Sequence, residues 1–440
     1  MAKDTPLAYR NLTIYQIYVR NHTPNGTFAE VQADLLRIKD LGVDVVYFMP
    51  IHPIGELNKK GSLGCPYSIK DYEEVNPEYG TKEDFRKLIE RAHELDLKVM
   101  IDVVYNHTAH DSKLVYEHPE WFHQDAQGKP VTTVPEWSDV IDLKQPNETL
   151  NNYLIGVLCD WVAFGVDGFR CDVASLLPVE FWTRARAAVA EIKPGVIWLA
   201  ESVHASFVIH RRRNNLFALS DSEVYTAFDM LYDYDIWPVW EAAVSGKAPV
   251  SDYLDVLRFQ DGMYPANFVK MRCVENHDQR RIMAYAPSRA QALAWTALAA
   301  FNKGPFFIYA GQESEATHTP SLFDIDKVQW NEYSLSDFLT RLAGLKKDPT
   351  QVYGQLTFTA AEPAVQAVWY TPECTLFGLF NVNAQNGMVS VPVPDGSHTN
   401  LLDDTSVKIE HGKLLLPESA VILRYASTGK PQPMRNALLD

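Results

Sequence analysis

The sequence predicts an α/β protein: a (β/α)8 barrel with a small inserted domain after its third strand and a C-terminal all-β sandwich. Three observations carry this. Up to residue 350, short β-branched runs alternate with amphipathic helical stretches. One connection, residues 108–146, is far longer than the others. From residue 351 the helical period disappears and short alternating runs separated by turn residues take over.

The strands come first. TIYQIYV from Thr13, VDVVYFMP from Val43, KVMIDVVYNH from Lys98, DGFRCD from Asp167, VIWLAES from Val196, VKMRCVENHD from Val269 and PFFIYAGQE from Pro305 each run into a polar loop. Near-continuous apolar runs are what parallel strands buried on both faces require. The sixth strand is placed near VYTAFDM, from Val224. Between the strands lie helices such as TKEDFRKLIERAHEL, where Thr81 is the expected N-cap and Phe85, Leu88, Ile89, Ala92 and Leu95 share one face. ALAWTALAAFN, from Ala292, is apolar almost all round, as a helix wedged against a barrel is. The repeated strand-then-helix order points to the barrel.

The barrel is expected over 1–107 and 147–350. The stretch between, rich in Pro, Asp, His and aromatics, is too long for a structureless loop and reads as a domain inserted over the barrel mouth. Its Trp121, Phe122 and Trp137 either stack on a ring-shaped ligand or form the insert's own core. QAVWYT, LFGLFNV, MVSVPVP, GKLLLP and AVILRYA place a sandwich over 351–427, followed by a tail at 428–440. Arg211, Arg212 and Arg213 read as one turn of a solvated helix.

Composition excludes several functions. The 440 residues carry 40 Lys plus Arg against 56 Asp plus Glu, a net charge of −16. Nucleic acids and anionic membranes need a basic surface, so neither is an expected partner. The five cysteines lack any CxxC spacing, which argues against a disulfide framework or zinc site. The start, MAKDTPLAYRN, has no apolar run, and a cytoplasmic address is expected. Oligomeric state is not legible.

Barrel enzymes place their chemistry at the C-terminal strand ends. Here the third strand ends in Asp102, Asn106 and His107, the fourth in Arg170 and Asp172, the fifth in Glu201, and the seventh in His277 and Asp278. Gathering carboxylates at one end is costly unless chemistry demands it. Glycoside hydrolysis does, because one carboxylate attacks the anomeric carbon while a protonated one feeds the leaving oxygen. The alternative at this point is an acid-lined mouth holding a divalent metal, as in isomerase or enolase barrels, although no lysine ends an identified strand.

DVVYNH, GFRCDVA, AES and ENHD, in that order and each on its own strand, resemble the four signature segments of the α-amylase family of retaining glycoside hydrolases. CPYSIKDYEEVNPEYGT and GPFFIYAGQE resemble two further family segments. The resemblance implies Asp172 as nucleophile, Glu201 as general acid and base, and Asp278 as the third carboxylate, gripping the sugar hydroxyls. It implies sugar contacts from His107 and His277, stacking from Tyr67, and support from Asp102 and Arg170, which complete the expected substrate-binding set. Arg170, two residues before Asp172, shares its face of the strand and is expected to hold it ionised.

The implied activity is hydrolysis of α-1,4-glucosidic bonds in starch- or glycogen-derived oligosaccharides or polysaccharides, through a covalent glucosyl intermediate. No cofactor is needed for that chemistry. Asn106 and Asp142 match positions that bind a structural calcium in many members. Two departures keep alternatives open. CDVASLLP lacks the Lys-His pair many amylases carry beyond the nucleophile, and Val173 resembles α-1,6-specific relatives. An α-1,6- or exo-acting glucosidase, a transglycosylase and a non-catalytic sugar-binding relative therefore remain beside the first reading.

Overall fold

The structure, a computed structural model, describes residues 4–435. Residues 1–3 of the expected barrel segment and 436–440 of the expected tail lie outside the described residues. The fold is an eight-stranded parallel (β/α)8 barrel with a C-terminal antiparallel all-β domain. The barrel strands are β1 (Thr13–Ile17), β2 (Val45–Phe48), β3 (Lys98–Val103), β4 (Gly168–Cys171), β5 (Ile197–Ala200), β6 (Met230–Tyr232), β7 (Lys270–Met271) and β8 (Phe306–Tyr309). By compactness the chain divides into two units, one of residues up to 6, 14–235 and 319–328, the other of 7–13, 236–318 and 329 onward.

In the first unit, β1 to β6 pair in sequence order, all parallel, and β1, β2, β4 and β5 are buried along their whole length. That double-sided burial explains their near-continuous apolar sequences. The register sets Asp102 directly opposite Arg170 across β3 and β4. The helix after β2, Lys82–Glu94, begins as expected at Thr81, in a capping box. The Thr81 hydroxyl accepts the Asp84 N–H, and the Asp84 carboxylate accepts the Thr81 N–H at 2.9 Å. Phe85, Leu88, Ile89 and Ala92 form its buried face, and Leu95 caps its end, half-buried.

Within the inserted stretch, His107–Ala109 pairs antiparallel with Val140–Asp142, which fixes its root. Trp121 and Phe122 are buried, and Trp121 stacks on His118 at 3.8 Å, so these two rings form the insert's own core. Trp137 remains partly exposed and tilts against His107 at 5.3 Å.

Two expectations need correction in this unit. The sixth strand starts only at the last residue of the stretch from Val224; Asp221–Val224 is a helical turn and the strand is Met230–Tyr232. Ser220 and Glu223 form a capping box, the Ser220 N–H donating to Glu223 Oε2 at 2.7 Å, and that local chemistry outweighs the β-branched character. Arg211 is not solvated either. It lies in the helix Ala205–Arg213 with 7% exposure, and its Nε donates to the Phe217 carbonyl at 2.9 Å.

The second unit holds β7 and β8, which meet in parallel at Arg272 and Phe306. Its helix Arg289–Phe301 is buried on nearly every face, as its sequence requires. A four-stranded antiparallel sheet (Gln355–Ala360, Val365–Tyr370, Cys374–Phe380, Ala420–Ala426) packs with two short strand pairs around Val368, Phe377, Leu379, Val389, Ile409 and Leu423. The strands Gly396–Thr399 and Ser406–Ile409 escaped sequence reading because they are mostly exposed and polar. Trp369 Nε1 donates to the Phe301 carbonyl at 2.6 Å, joining the sheet to the helix. All five cysteines are free.

Candidate active site

Strand periodicity brings the acids of the first unit together. Arg170 and Asp172 stand two residues apart on β4 and its end, so their side chains leave the same face. Arg170 is fully buried. Its Nη1 donates to Asp102 Oδ1 at 2.9 Å and Oδ2 at 3.0 Å, and to Asp172 Oδ1 at 2.9 Å. Its Nη2 lies 3.1 Å from Glu201 Oε2 as an ion pair without hydrogen-bond alignment, leaving that nitrogen no aligned acceptor. Three carboxylates from three successive strands thus surround one guanidinium, which stays charged at any working pH.

Behind Arg170, Asp102 accepts the hydroxyls of Tyr47 at 2.6 Å and Tyr67 at 2.9 Å. Sequence reasoning put Asp102 and Arg170 among the residues that bind substrate. Both are 0% exposed, so neither reaches a sugar in this geometry, and they hold Asp172 from below. Tyr67 is 9% exposed, its hydroxyl spent on Asp102 and its ring 5.5 Å from the Arg170 guanidinium. Tyr47 was missed, since a tyrosine in an apolar strand carries no signal of what its hydroxyl meets.

In front of Arg170, Asp172 and Glu201 retain slight side-chain exposure, 9% and 12%. Glu201 Oε2 accepts the backbone N–H of Val173 at 2.8 Å. Val173 itself sits at φ 34, ψ 44, a left-handed conformation that a β-branched residue adopts only under strain. His107 is buried with Nε2 3.9 Å from Asp172 Oδ2, and Asn106 Nδ2 donates to its Nδ1 at 3.2 Å. Burial pushes the His107 pKa down against the upward pull of Asp142, Asp139 and Glu201, so the ring is neutral at physiological pH.

Burial pushes Asp172 well above the usual carboxylate range, the Glu201 charge pushes the same way, and Arg170 pulls back. The expectation that Arg170 holds Asp172 ionised is therefore opposed by desolvation, which is the larger influence here. Asp102 is raised to about 6, again by burial first, with Arg170, Tyr47 and Tyr67 opposing.

In the second unit, the loop after β7 carries His277, 4% exposed, and Asp278, whose side chain is 35% exposed. His277 Nε2 lies 3.2 Å from Asp278 Oδ2.

The candidate calcium ligands do not fit a calcium ion. Asp142 Oδ2 already accepts the N–H and hydroxyl of Thr133 at 2.7 and 2.6 Å, and its Oδ1 the Thr132 hydroxyl at 3.2 Å. Asn106 and Asp142 line a cavity that Arg211 also lines, and the Arg211 guanidinium feels the Asp142 charge. Calcium requires six or more oxygens. Among the described residues, no group of three or more His, Cys, Asp or Glu is placed to hold a metal.

Comparison with known proteins bears on this constellation. The family model "Alpha amylase, catalytic domain" matches residues 18–352, and "Bacterial Alpha amylase C-terminal domain" matches 357–423. The chain belongs to the α-amylase family. A solved α-amylase from Lactobacillus plantarum is 42% identical with a TM-score of 0.91, covering 96% of this chain and 100% of that one. A noncanonic maltogenic α-amylase from Thermotoga neapolitana is 33% identical with a TM-score of 0.85, over 96% and 100%. An α-1,4-glucan:maltose-1-phosphate maltosyltransferase from Cereibacter sphaeroides is 31% identical over 69% of this chain and 52% of its own length. The matched stretch spans from about a third to half of the curated maltosyltransferases. Among the described residues, no helix of this α-amylase-family chain is long and apolar enough to cross a membrane.

The raised Asp102 has a thermodynamic signature. The folded site binds its proton more tightly than an unfolded chain, whose Asp titrates near 3.8. Stability from this source is complete below that value and is lost as pH rises through about 6. The difference in Tm between wild type and Asp102→Asn is thus expected to shift across pH 4–6.5, in the direction of relative wild-type loss, and to level off above. Parallel Tm–pH curves would show that Asp102 does not titrate there.

Proposed function

We propose that the chain hydrolyses α-1,4-glucosidic bonds in malto-oligosaccharides derived from starch or glycogen, with net retention. The observation that carries this is the shared guanidinium: Arg170 bonds Asp172 Oδ1 and neighbours Glu201 Oε2, so two carboxylates flank one point with one oxygen of each held from behind. The other oxygen of each is left for the sugar.

Asp172 Oδ2 attacks the anomeric carbon while Glu201 gives a proton to the departing glycosidic oxygen. The proton sits on Oε1, because Oε2 already accepts Val173 N–H. The result is a covalent glucosyl ester on Asp172 and a free glucan end. Glu201, now ionised, takes a proton from water as the water attacks the same carbon and releases Asp172. Neutral His107 donates a hydrogen bond to the sugar ahead of the cut, and Asp278 with His277 grips the hydroxyls next to the reacting carbon. Because Asp142 and Arg211 leave no calcium sphere, no ion enters the scheme.

The α-1,4 preference draws support from the L. plantarum and T. neapolitana amylases, similar along almost the whole chain. A second reading has the glucosyl intermediate captured by another sugar or by phosphate; the maltosyltransferase relatives favour it. The same acids serve either outcome.

Glu201→Gln is expected to lower kcat on maltoheptaose by at least about 1,000-fold, on the scale of losing a positioned proton donor, while calorimetry still detects oligosaccharide binding. Near-normal turnover in this variant rejects the assignment. Chromatography after digestion of maltoheptaose and isomaltotriose is expected to show shorter malto-oligosaccharides from the first and an intact second. Cleavage confined to isomaltotriose reverses the linkage preference, and products longer than the substrate move the chain to the transferases. Dialysis against EDTA is expected to leave Tm and activity unchanged; a fall in Tm that calcium restores would show a structural ion and overturn this expectation.

A further inference from the structure

The loop that carries His277 and Asp278 is closed at its base by a buried ion pair. Arg281 Nη1 donates to Glu275 Oε1 at 2.7 Å, with side-chain exposures of 0% and 1%. The other oxygen, Glu275 Oε2, accepts the Ile282 N–H at 2.7 Å. Arg281 is itself anchored on three further sides. Its Nη2 donates to the Ala310 carbonyl, one residue beyond β8, at 2.7 Å, its Nε donates to the His318 carbonyl at 3.2 Å, and its guanidinium lies 4.0 Å from the centre of the Tyr309 ring. Inside the closed loop, Asn276 Oδ1 accepts the N–H groups of Asp278 at 2.9 Å and Gln279 at 3.1 Å.

We infer that Glu275 and Arg281 are positioning residues, a clasp that fixes the backbone from which Asp278 and His277 project toward the sugar. The inference rests on the proposed role of Asp278 in gripping substrate. Neither clasp residue touches the sugar; both act through the loop. The argument is one of energetics and rigidity. A buried ion pair contributes little net stability, since desolvating two charges offsets their attraction, and a well-packed apolar pair of similar size often does as well. What an apolar pair cannot supply is direction. The guanidinium closes the loop onto Glu275 and ties it to the Ala310 and His318 carbonyls and the Tyr309 ring, whereas methylene packing tolerates sliding. Asp278 has an exposed carboxylate on a short loop, and a displacement of about 1 Å there is enough to cost about 100-fold in rate.

The test separates direction from stability. Glu275→Leu/Arg281→Met replaces the clasp by apolar groups and is expected to regain a Tm close to wild type, yet to keep kcat on maltoheptaose about 100-fold down with KM little changed. In an Asp278→Asn background the same double replacement is expected to lower kcat by no more than about twofold, because residues acting through one group are not additive. Recovery of kcat together with Tm overturns the clasp, as does a full multiplicative loss in the Asp278→Asn background. Should the apolar pair not fold, Arg281→Lys keeps the charge but loses the fork; it is expected to stay folded with reduced kcat, and wild-type kcat in it overturns the proposal. Wild-type turnover in Asp278→Asn alone overturns both the role of Asp278 and the clasp. An inactive Asp278→Asn beside a fully active double replacement overturns only the clasp.

Discussion

Three carboxylates drawn from consecutive parallel strands cannot share a dry pocket unless a permanent positive charge lies among them. Arg170 supplies it. Its guanidinium is fully buried, bonded to Asp102 and Asp172 and paired with Glu201. Removing one partner from such a cluster leaves buried charge uncompensated, at a cost of about 3–5 kcal/mol. The parallel register of β3 and β4 sets Asp102 opposite Arg170, and the two-residue strand period puts Asp172 on the same face. The barrel's regularity is thereby converted into a fixed separation of functional groups. Two rows of chemistry result: a sealed one (Tyr47, Asp102) that orients the guanidinium, with the Tyr67 hydroxyl bonded to Asp102, and an open one (Asp172, Glu201) whose side chains retain slight exposure.

The open row depends on a strained backbone. Val173 in a left-handed conformation costs of order 1–3 kcal/mol that a glycine would avoid. The strain is matched to a purpose on the page: it turns the Val173 N–H onto Glu201 Oε2, and packing of the side chain with Leu176, Val208 and Ala218 holds the turn in place. The amide and Arg170 favour negative charge on the same oxygen. In the proposed mechanism the proton needed for the leaving group is thereby confined to the other oxygen, which is a tighter specification than a carboxyl free to rotate could give.

How much of this was legible follows from which forces write themselves into sequence. Acids and histidines at strand ends were readable because an apolar run interrupted by Asp102, Asp172 or Glu201 has no packing explanation. Strand positions followed from double-sided burial, and the helix start at Thr81 from its capping box. The sixth strand was misplaced because the Ser220–Glu223 cap competes with β-branched residues, and which wins is settled locally. Tyr47, the Val173 amide and the burial of Arg211 were invisible for another reason. Backbone groups have no letter of their own, and a side chain's burial depends on elements distant in the chain. The surroundings of the candidate calcium ligands were invisible at the same level, since Asn106 and Asp142 keep their identities while Thr132, Thr133 and Arg211 change what surrounds them.

Arg170 and Arg281 illustrate one solution used separately in the two units. Each is buried to 0% exposure; Arg170 bonds the carboxylates of Asp102 and Asp172, and Arg281 bonds Glu275 and the Ala310 and His318 carbonyls. Lysine would be a poor substitute in either place. An ammonium in a dry site lowers its pKa and can shed its charge, and three rotatable donors on a point charge do not define a plane. The guanidinium does neither: it stays ionised and imposes direction along its fork. A site that holds carboxylates in prescribed orientations, while one of them gains and loses a proton each turnover in the proposed mechanism, needs a partner whose own charge does not change. Constant charge and fixed direction, more than net stability, explain why the fold accepts the desolvation cost of burying Arg170 and Arg281.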